Sequence, residues 1–134
     1  LLKRVAKAGA GAVVTKSVGP KERKGNPGPV LVDLGYAYLN AMGLSNPGID
    51  SFAEEIRIAK EGGVPVIVSV FGDTPDEYAQ VAKKAEEAGA DAIELNVSCP
   101  HEKLVEVCLS AEHLEEVVKA AKKAVKALRN CKGS

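Results

Sequence analysis

Ala92-Ile93-Glu94-Leu95-Asn96-Val97-Ser98-Cys99-Pro100-His101 is the stretch on which the reading of the fold turns. It opens with the alternation of a β-strand. Ile93, Leu95 and Val97 fall on one face, and Ala92, Glu94 and Asn96 on the other. It closes in a polar turn that carries Asn96, Ser98, Cys99 and His101 and is stopped by Pro100. In parallel α/β folds the chemistry collects at the carboxyl ends of the strands. An amide, a thiol and an imidazole placed directly after a strand therefore mark this end as the candidate site.

Upstream, Thr74-Pro75-Asp76-Glu77 is a capping box with Pro at the first helical position. The helix it opens turns Tyr78, Val81, Ala82 and Ala85 inward and ends at Gly89. Before it, Pro65-Val66-Ile67-Val68-Ser69-Val70 is a continuous apolar run, which predicts a strand in a sheet covered on both faces. Ser51-Phe52-Ala53-Glu54 reads as another capping box, with Phe52, Ile56 and Ala59 as the stripe and Gly62-Gly63 as the stop. At the start, Leu1, Leu2, Val5 and Ala6 line a helix that stops near Gly9 or Gly11. Gly11 to Ser17 follows as a short buried strand ending in Lys16 and Ser17. Downstream, Ser110 caps a helix with Leu114, Val117, Val118, Ala121, Val125 and Leu128 on one face, and residues 129–134 form a polar tail.

The order is thus helix, strand, helix, strand, helix, strand, helix. Alternation of this kind means parallel strands joined by right-handed crossovers. A doubly wound sheet and part of a (β/α)8 barrel both satisfy it. The chain has 134 residues and three core strands, whereas a full barrel takes about 250 residues. The barrel reading therefore implies a piece of a longer chain, and the opening in mid-helix without Met agrees.

Residues 18–48 are rich in turn chemistry: Gly19-Pro20, Gly25-Asn26-Pro27-Gly28-Pro29 and Ser45-Asn46-Pro47-Gly48. Between these, Val30 to Leu34 and Tyr36 to Leu39 are expected to pair as a hairpin across Gly35. So long an irregular segment in a compact domain suggests a functional loop.

Composition narrows the function. The 18 basic and 18 acidic residues balance, which argues against a phosphate-backbone or membrane-surface binder. Aromatic residues are 4% of the chain, with no Trp, so base-stacking recognition is not expected. No apolar run approaches the roughly 20 residues of a membrane span. Three cysteines without a CxxC pair point to a reducing, cytoplasmic compartment.

Lys16-Ser17, Ser69 and Asn96 each end a different strand and should converge on one rim. There a cation, hydroxyls and an amide suit an anionic or heterocyclic ligand. Taken singly, each is also an ordinary strand-end polar residue. Asn40 and Asn46 could bond a polar ligand, and Gly43 would let backbone approach closely; the same residues also make a plain turn. Cys99 is either a base or nucleophile with a lowered pKa or a small inert thiol. Cys108 and Cys131 lack polar company. His101 and His113 have no partner at metal-ligand spacing, and the lysines of the last helix read as a solvated face.

Three segments together resemble the dihydroorotate dehydrogenases: Thr15-Lys16-Ser17, Leu39 to Gly48, and Glu94-Leu95-Asn96-Val97-Ser98-Cys99-Pro100. The resemblance covers about residues 1–101 and is closest to the soluble class. It implies a flavin (FMN)-dependent (β/α)8 barrel that oxidises dihydroorotate to orotate in pyrimidine synthesis. Residues 1–134 would be a fragment spanning the second to fourth βα units. By position, Lys16 would touch flavin and substrate, Ser17 and Ser69 the flavin, and Asn96 both. Asn40, Ala41, Met42, Gly43 and Leu44 would line the substrate pocket. Cys99 matches the family's catalytic base, where the membrane-associated class uses Ser. His101 after Cys-Pro resembles the NAD-linked branch, whose partner is an iron–sulfur flavoprotein subunit. The first strand and the later phosphate loops are missing, and the match fades from Glu102 onward. A non-catalytic α/β module of the same family, without a complete flavin site, is the alternative. Unpaired sheet edges predict self-association into a homo-oligomer.

Overall fold

The computed structural model describes residues 1–98 and 110–126. In chain order it holds α1 (Leu2–Lys7), β1 (Val13–Val14), β2 (Glu22–Arg23), β3 (Leu31–Asp33), β4 (Tyr38–Asn40), β5 (Asn46–Pro47), α2 (Ile49–Lys60), β6 (Val66–Val70), α3 (Pro75–Glu87), β7 (Ala92–Leu95) and α4 (Ala111–Ala124). The main sheet is β1-β6-β7, parallel throughout. Its strands follow chain order without reversal. A doubly wound sheet reverses order at its switch point and carries helices on both faces. Here α1, α2 and α3 all pack against one face, and α4 lies along α3. The protein is α/β, and its three strands with their outer helices have the arrangement of a section of (β/α)8 barrel wall.

The register sorts the strand residues by face. Val13 pairs Val66, Val68 pairs Ile93 and Val70 pairs Leu95, and this set faces the helices. Val66, Val68, Val70 and Phe71 are wholly buried there with Ile56, Tyr78, Val81 and Val117. Each such side chain contributes about 1.5–3 kcal/mol by leaving water. Val14, Ile67 and Ala92 form the other set, with Ser69 opposite Glu94. Val14 is 46% exposed and Glu94 is exposed. The expectation of cover on both faces is therefore not met within the described residues: the face away from the helices is open.

The capping box expected at Ser51 is not there. The helix starts earlier, with Gly48 as N-cap, and Ser51 lies inside it. The reason lies in the neighbouring loop, because the Ile49 amide donates to Gly19 O at 2.9 Å and the Gly48 amide to Asn46 Oδ1 at 2.9 Å. Gly48 has φ +78, and a Cβ there would stand 2.9 Å from Glu22 N, so only glycine fits this entry. The Thr74 box forms in modified shape. Thr74 Oγ1 accepts from Glu77 N, while Glu77 Oε2 accepts from Asp73 N rather than from the cap residue. Tyr78, Val81, Ala82 and Ala85 are buried as expected. On α4, Val117 and Ala121 are buried, but Leu114 is 38% exposed and Val125 lies just past the helix. Leu128 and the polar tail fall outside the described residues.

The hairpin forms with β3 against β4, Val32 opposite Leu39, and a tighter link: the Leu34 amide donates to Ala37 O and the Gly35 amide to Asp33 Oδ1. A second antiparallel pair, β2 with β5, was not legible in the sequence.

Candidate functional site at the strand ends

The rim at the carboxyl ends is built by a slip in the ladder. The Thr15 amide donates to Ile67 O, but the next bond to β6 comes from Val18, whose amide donates to Ser69 O. Regular parallel pairing would have used Ser17. Lys16 and Ser17 thus form a bulge, which re-aims their side chains. Ser17 Oγ lies 3.0 Å from Ser69 Oγ and accepts from Asn96 Nδ2 at 2.9 Å. One hydrogen-bonded chain joins the ends of β7, β1 and β6. Ser69 is 2% exposed, and its amide donates to Thr15 Oγ1, which itself donates to Lys16 O. The convergence expected of Lys16, Ser17, Ser69 and Asn96 is present for the last three as direct contacts.

Lys16 departs from the hydroxyl chain and donates through Nζ to Ser45 O. An ammonium has three donors, and this contact uses one. It ties the rim to the loop that follows the hairpin. Within that segment Asn40 sits on β4 opposite Leu31 and is exposed, and Met42 is 54% exposed. The Ala41 amide donates to Val30 O, so pairing continues one residue past the strand and Ala41 faces away from Asn40. Leu44, at φ +51, packs partly on the core. Asn40, Ala41, Met42 and Leu44 therefore do not share one face. The close approach foreseen at Gly43 is made by the chain itself: a Cβ there would lie 2.7 Å from Asn26 N. Asn46 is likewise committed internally. It is 4% exposed; its Oδ1 accepts from Gly19 N and Gly48 N, and its Nδ2 donates to Leu44 O.

Two contacts missed in the sequence fasten this rim. Arg23 makes a two-pronged ion pair with Asp73, at 3.0 and 2.9 Å, and its guanidinium stands 5.0 Å over the Phe71 ring. Arg23 thereby joins β2 to the turn after β6. Tyr78 donates its hydroxyl to Asn96 O at 2.6 Å. Helical spacing marked Tyr78 as core; its hydroxyl was the only signal of a polar task. The candidate base Cys99, with His101, Cys108 and Cys131, lies outside the described residues. Among the described residues no helix is long and apolar enough to cross a membrane, and no cluster of three metal-ligating side chains occurs.

Fold and rim together define a parallel α/β protein with an amide, hydroxyls and an ammonium at the carboxyl ends of its strands, the place where such folds hold ligands. The family model described as dihydroorotate dehydrogenase matches residues 1–130, and the chain belongs to that family. It is similar to proteins named dihydroorotate dehydrogenase B (NAD(+)), catalytic subunit. The relative from Thermoplasma acidophilum is 52% identical over 116 residues, 85% of this chain and 39% of its own length. The one from Thermoplasma volcanium is 50% identical over 127 residues, 93% of this chain and 42% of its own. The one from Pyrococcus abyssi is 52% identical over 124 residues, 91% and 41%. The chain thus spans about two fifths of the length of these curated relatives.

Proposed function

We propose that this chain is the second-to-fourth βα section of a flavin-dependent enzyme that oxidises dihydroorotate to orotate. The observation that carries the reading is the Asn96–Ser17–Ser69 chain across three strand ends, in a chain about 50% identical to proteins named for that activity. The donor set fits the FMN the family resemblance implies. A flavin's edge presents carbonyl and imide groups, and amide and hydroxyl groups can both donate to and accept from such an edge. Lys16, Ser17, Ser69 and Asn96 would hold it. A bound flavin supplies the two-electron acceptor that converting a carbon–carbon single bond to a double bond requires.

The chain's own residues would do the rest. Lys16 would bring positive charge to the carboxylate-bearing substrate, and Asn96 would orient it. Residues 40–44 would border it with Asn40 and Met42 on one side. Cys99 would take the carbon-bound proton. The relatives' naming as catalytic subunits of an NAD(+) enzyme supports an electron-transfer partner subunit, in keeping with the iron–sulfur flavoprotein implied by the resemblance. A cytoplasmic setting and a closed barrel belong to the same reading.

The test is Cys99→Ala in the full-length protein that carries this chain. Loss of a general base should lower turnover by about 10²- to 10⁴-fold while flavin content, read by absorbance, is kept. Cys99→Ser should retain a little activity, moved to higher pH, and Cys108→Ala should turn over as the parent does. Undiminished turnover in Cys99→Ala would remove the proton-abstraction role from this residue.

A further inference from the structure

We propose that Tyr78 is a positioning residue for Asn96, acting from helix α3 on the end of β7; this rests on the functional reading of the rim given above. The ladder between β6 and β7 makes its last bond where the Asn96 amide donates to Val70 O at 2.8 Å. β6 ends at Val70, and the amide of Phe71 belongs to its other edge, where it donates to Val18 O beside β1. The carbonyl of Asn96 is thus left past the end of the strand pairing. Tyr78 reaches it from the helix: its ring is 0% exposed and its hydroxyl donates to Asn96 O at 2.6 Å. A side chain stands in for the missing strand partner.

The donor is itself fixed. The Tyr78 amide donates to Thr74 O, Thr74 caps Glu77, and Glu77 closes on Asp73. Gly72 lies so near that a Cβ on it would sit 2.8 Å from Tyr78 N. With both main-chain groups of Asn96 held, its side chain is aimed: Nδ2 donates to Ser17, and Oδ1 accepts from Ser98 N at 3.3 Å. Without the phenol, the peptide after Asn96 can rotate and carry the amide off the hydroxyl chain.

The test uses Tyr78→Phe in the full-length protein, which removes one hydroxyl and keeps the ring. Val81→Ala, buried one turn along the same helix, serves as a destabilised control. Three quantities are read: the Asn96 side-chain amide signal in asparagine-labelled NMR, FMN affinity by fluorescence quenching, and kcat against KM. Small displacements of an oriented group cost up to about 100-fold, so loss of this one tether should lower kcat about tenfold with KM little changed. FMN should bind more weakly, and the Asn96 amide signal should shift and exchange faster. Val81→Ala should lower Tm without these changes. A Tyr78→Phe protein that matches the parent in the Asn96 signal overturns the proposal, as does a Val81→Ala protein that shows the same losses. A parent that neither binds FMN nor oxidises dihydroorotate removes the functional reading instead. The NMR comparison then decides the Tyr78 tether alone.

Discussion

Replacing Asn46 by Ala separates a structural staple from a ligand group. The side chain is 4% exposed and makes three hydrogen bonds to the main chain, from Gly19 N at 3.1 Å, from Gly48 N at 2.9 Å and to Leu44 O at 2.7 Å. These tie the loop after β1 to the start of α2. Each bond contributes about 1 kcal/mol net, and each buried amide left without an acceptor costs about 1–3 kcal/mol. Two of the three groups are buried amides, so Asn46→Ala should destabilise by about 3–7 kcal/mol. That is a large share of the 5–15 kcal/mol typical of a whole protein. Urea unfolding of the full-length protein measures it, with the slope unchanged if only the folded state is affected. A loss under about 1 kcal/mol accompanied by weakened ligand binding would refute the reasoning and return Asn46 to the ligand.

Asp91 governs acid stability at the opposite end of the sheet. Its carboxylate is held below its ordinary value of 3.8, first by the hydrogen bond from Lys60 and then by that from Val66 N, against the opposing pull of burial. A depressed folded value means the contribution is present above the unfolded value and is lost as pH falls through the folded one. The pair is 39% exposed on each side, so solvent screening keeps the gain to about 1 kcal/mol. Asp91→Asn should therefore lower Tm near neutral pH, and the difference should fade as pH falls below 3.8 and through the depressed folded value, which calorimetry across pH checks. The isolated chain should also self-associate, because Val14 and the apolar hairpin residues Leu31, Val32, Tyr36, Tyr38 and Leu39 are exposed. Light scattering after size exclusion measures the mass, and a sharp monomer peak with a cooperative melt would speak against the open-face reading.

The alternation in residues 92–97, the apolar run of 66–70 and the stripe Tyr78, Val81, Ala82 and Ala85 are visible in the sequence because each repeats with the period of its own element. What the sequence hid depends on contacts far along the chain. Ser51 has the spacing of a cap, yet Gly19 O and Asn46 Oδ1 take the Ile49 and Gly48 amides and start the helix from Gly48, three residues earlier. The bulge at Lys16 and Ser17 left one trace: after Val13 and Thr15 the next inward residue is Val18, one place late. Nothing in the sequence pairs Glu22 with Pro47, since two-residue strands carry no period to detect. Strand alternation and the left-handed turn at Gly43 and Leu44 set the side chains of residues 40–44 on different faces, a division that no periodicity in the stretch announces.

The two ends of the sheet satisfy their polar groups in different currencies, and the difference bears on where a ligand can enter. At the amino ends the partners are full charges: Lys60 with Asp91 at 2.6 Å, and Lys3 with Glu61. A carboxylate that already receives an ammonium and a main-chain amide, as Asp91 does, has little left to offer, and displacing either partner exposes a charge. At the carboxyl ends Arg23–Asp73 and Lys16 stand at the edge of the rim, but the groups that join the three strand ends are hydroxyls and an amide. Asn96 Nδ2 is always the donor to Ser17, but either hydroxyl of the Ser17–Ser69 pair can be the donor, so that link can run in either sense and present a proton or a lone pair as the incoming group demands. Reversal costs a rotation about a C–O bond rather than the exposure of a charge. A rim made this way can bind a heterocycle bearing both donors and acceptors without breaking the contacts that hold β1, β6 and β7 together. The ion pairs at the other end brace the sheet while the hydroxyls turn.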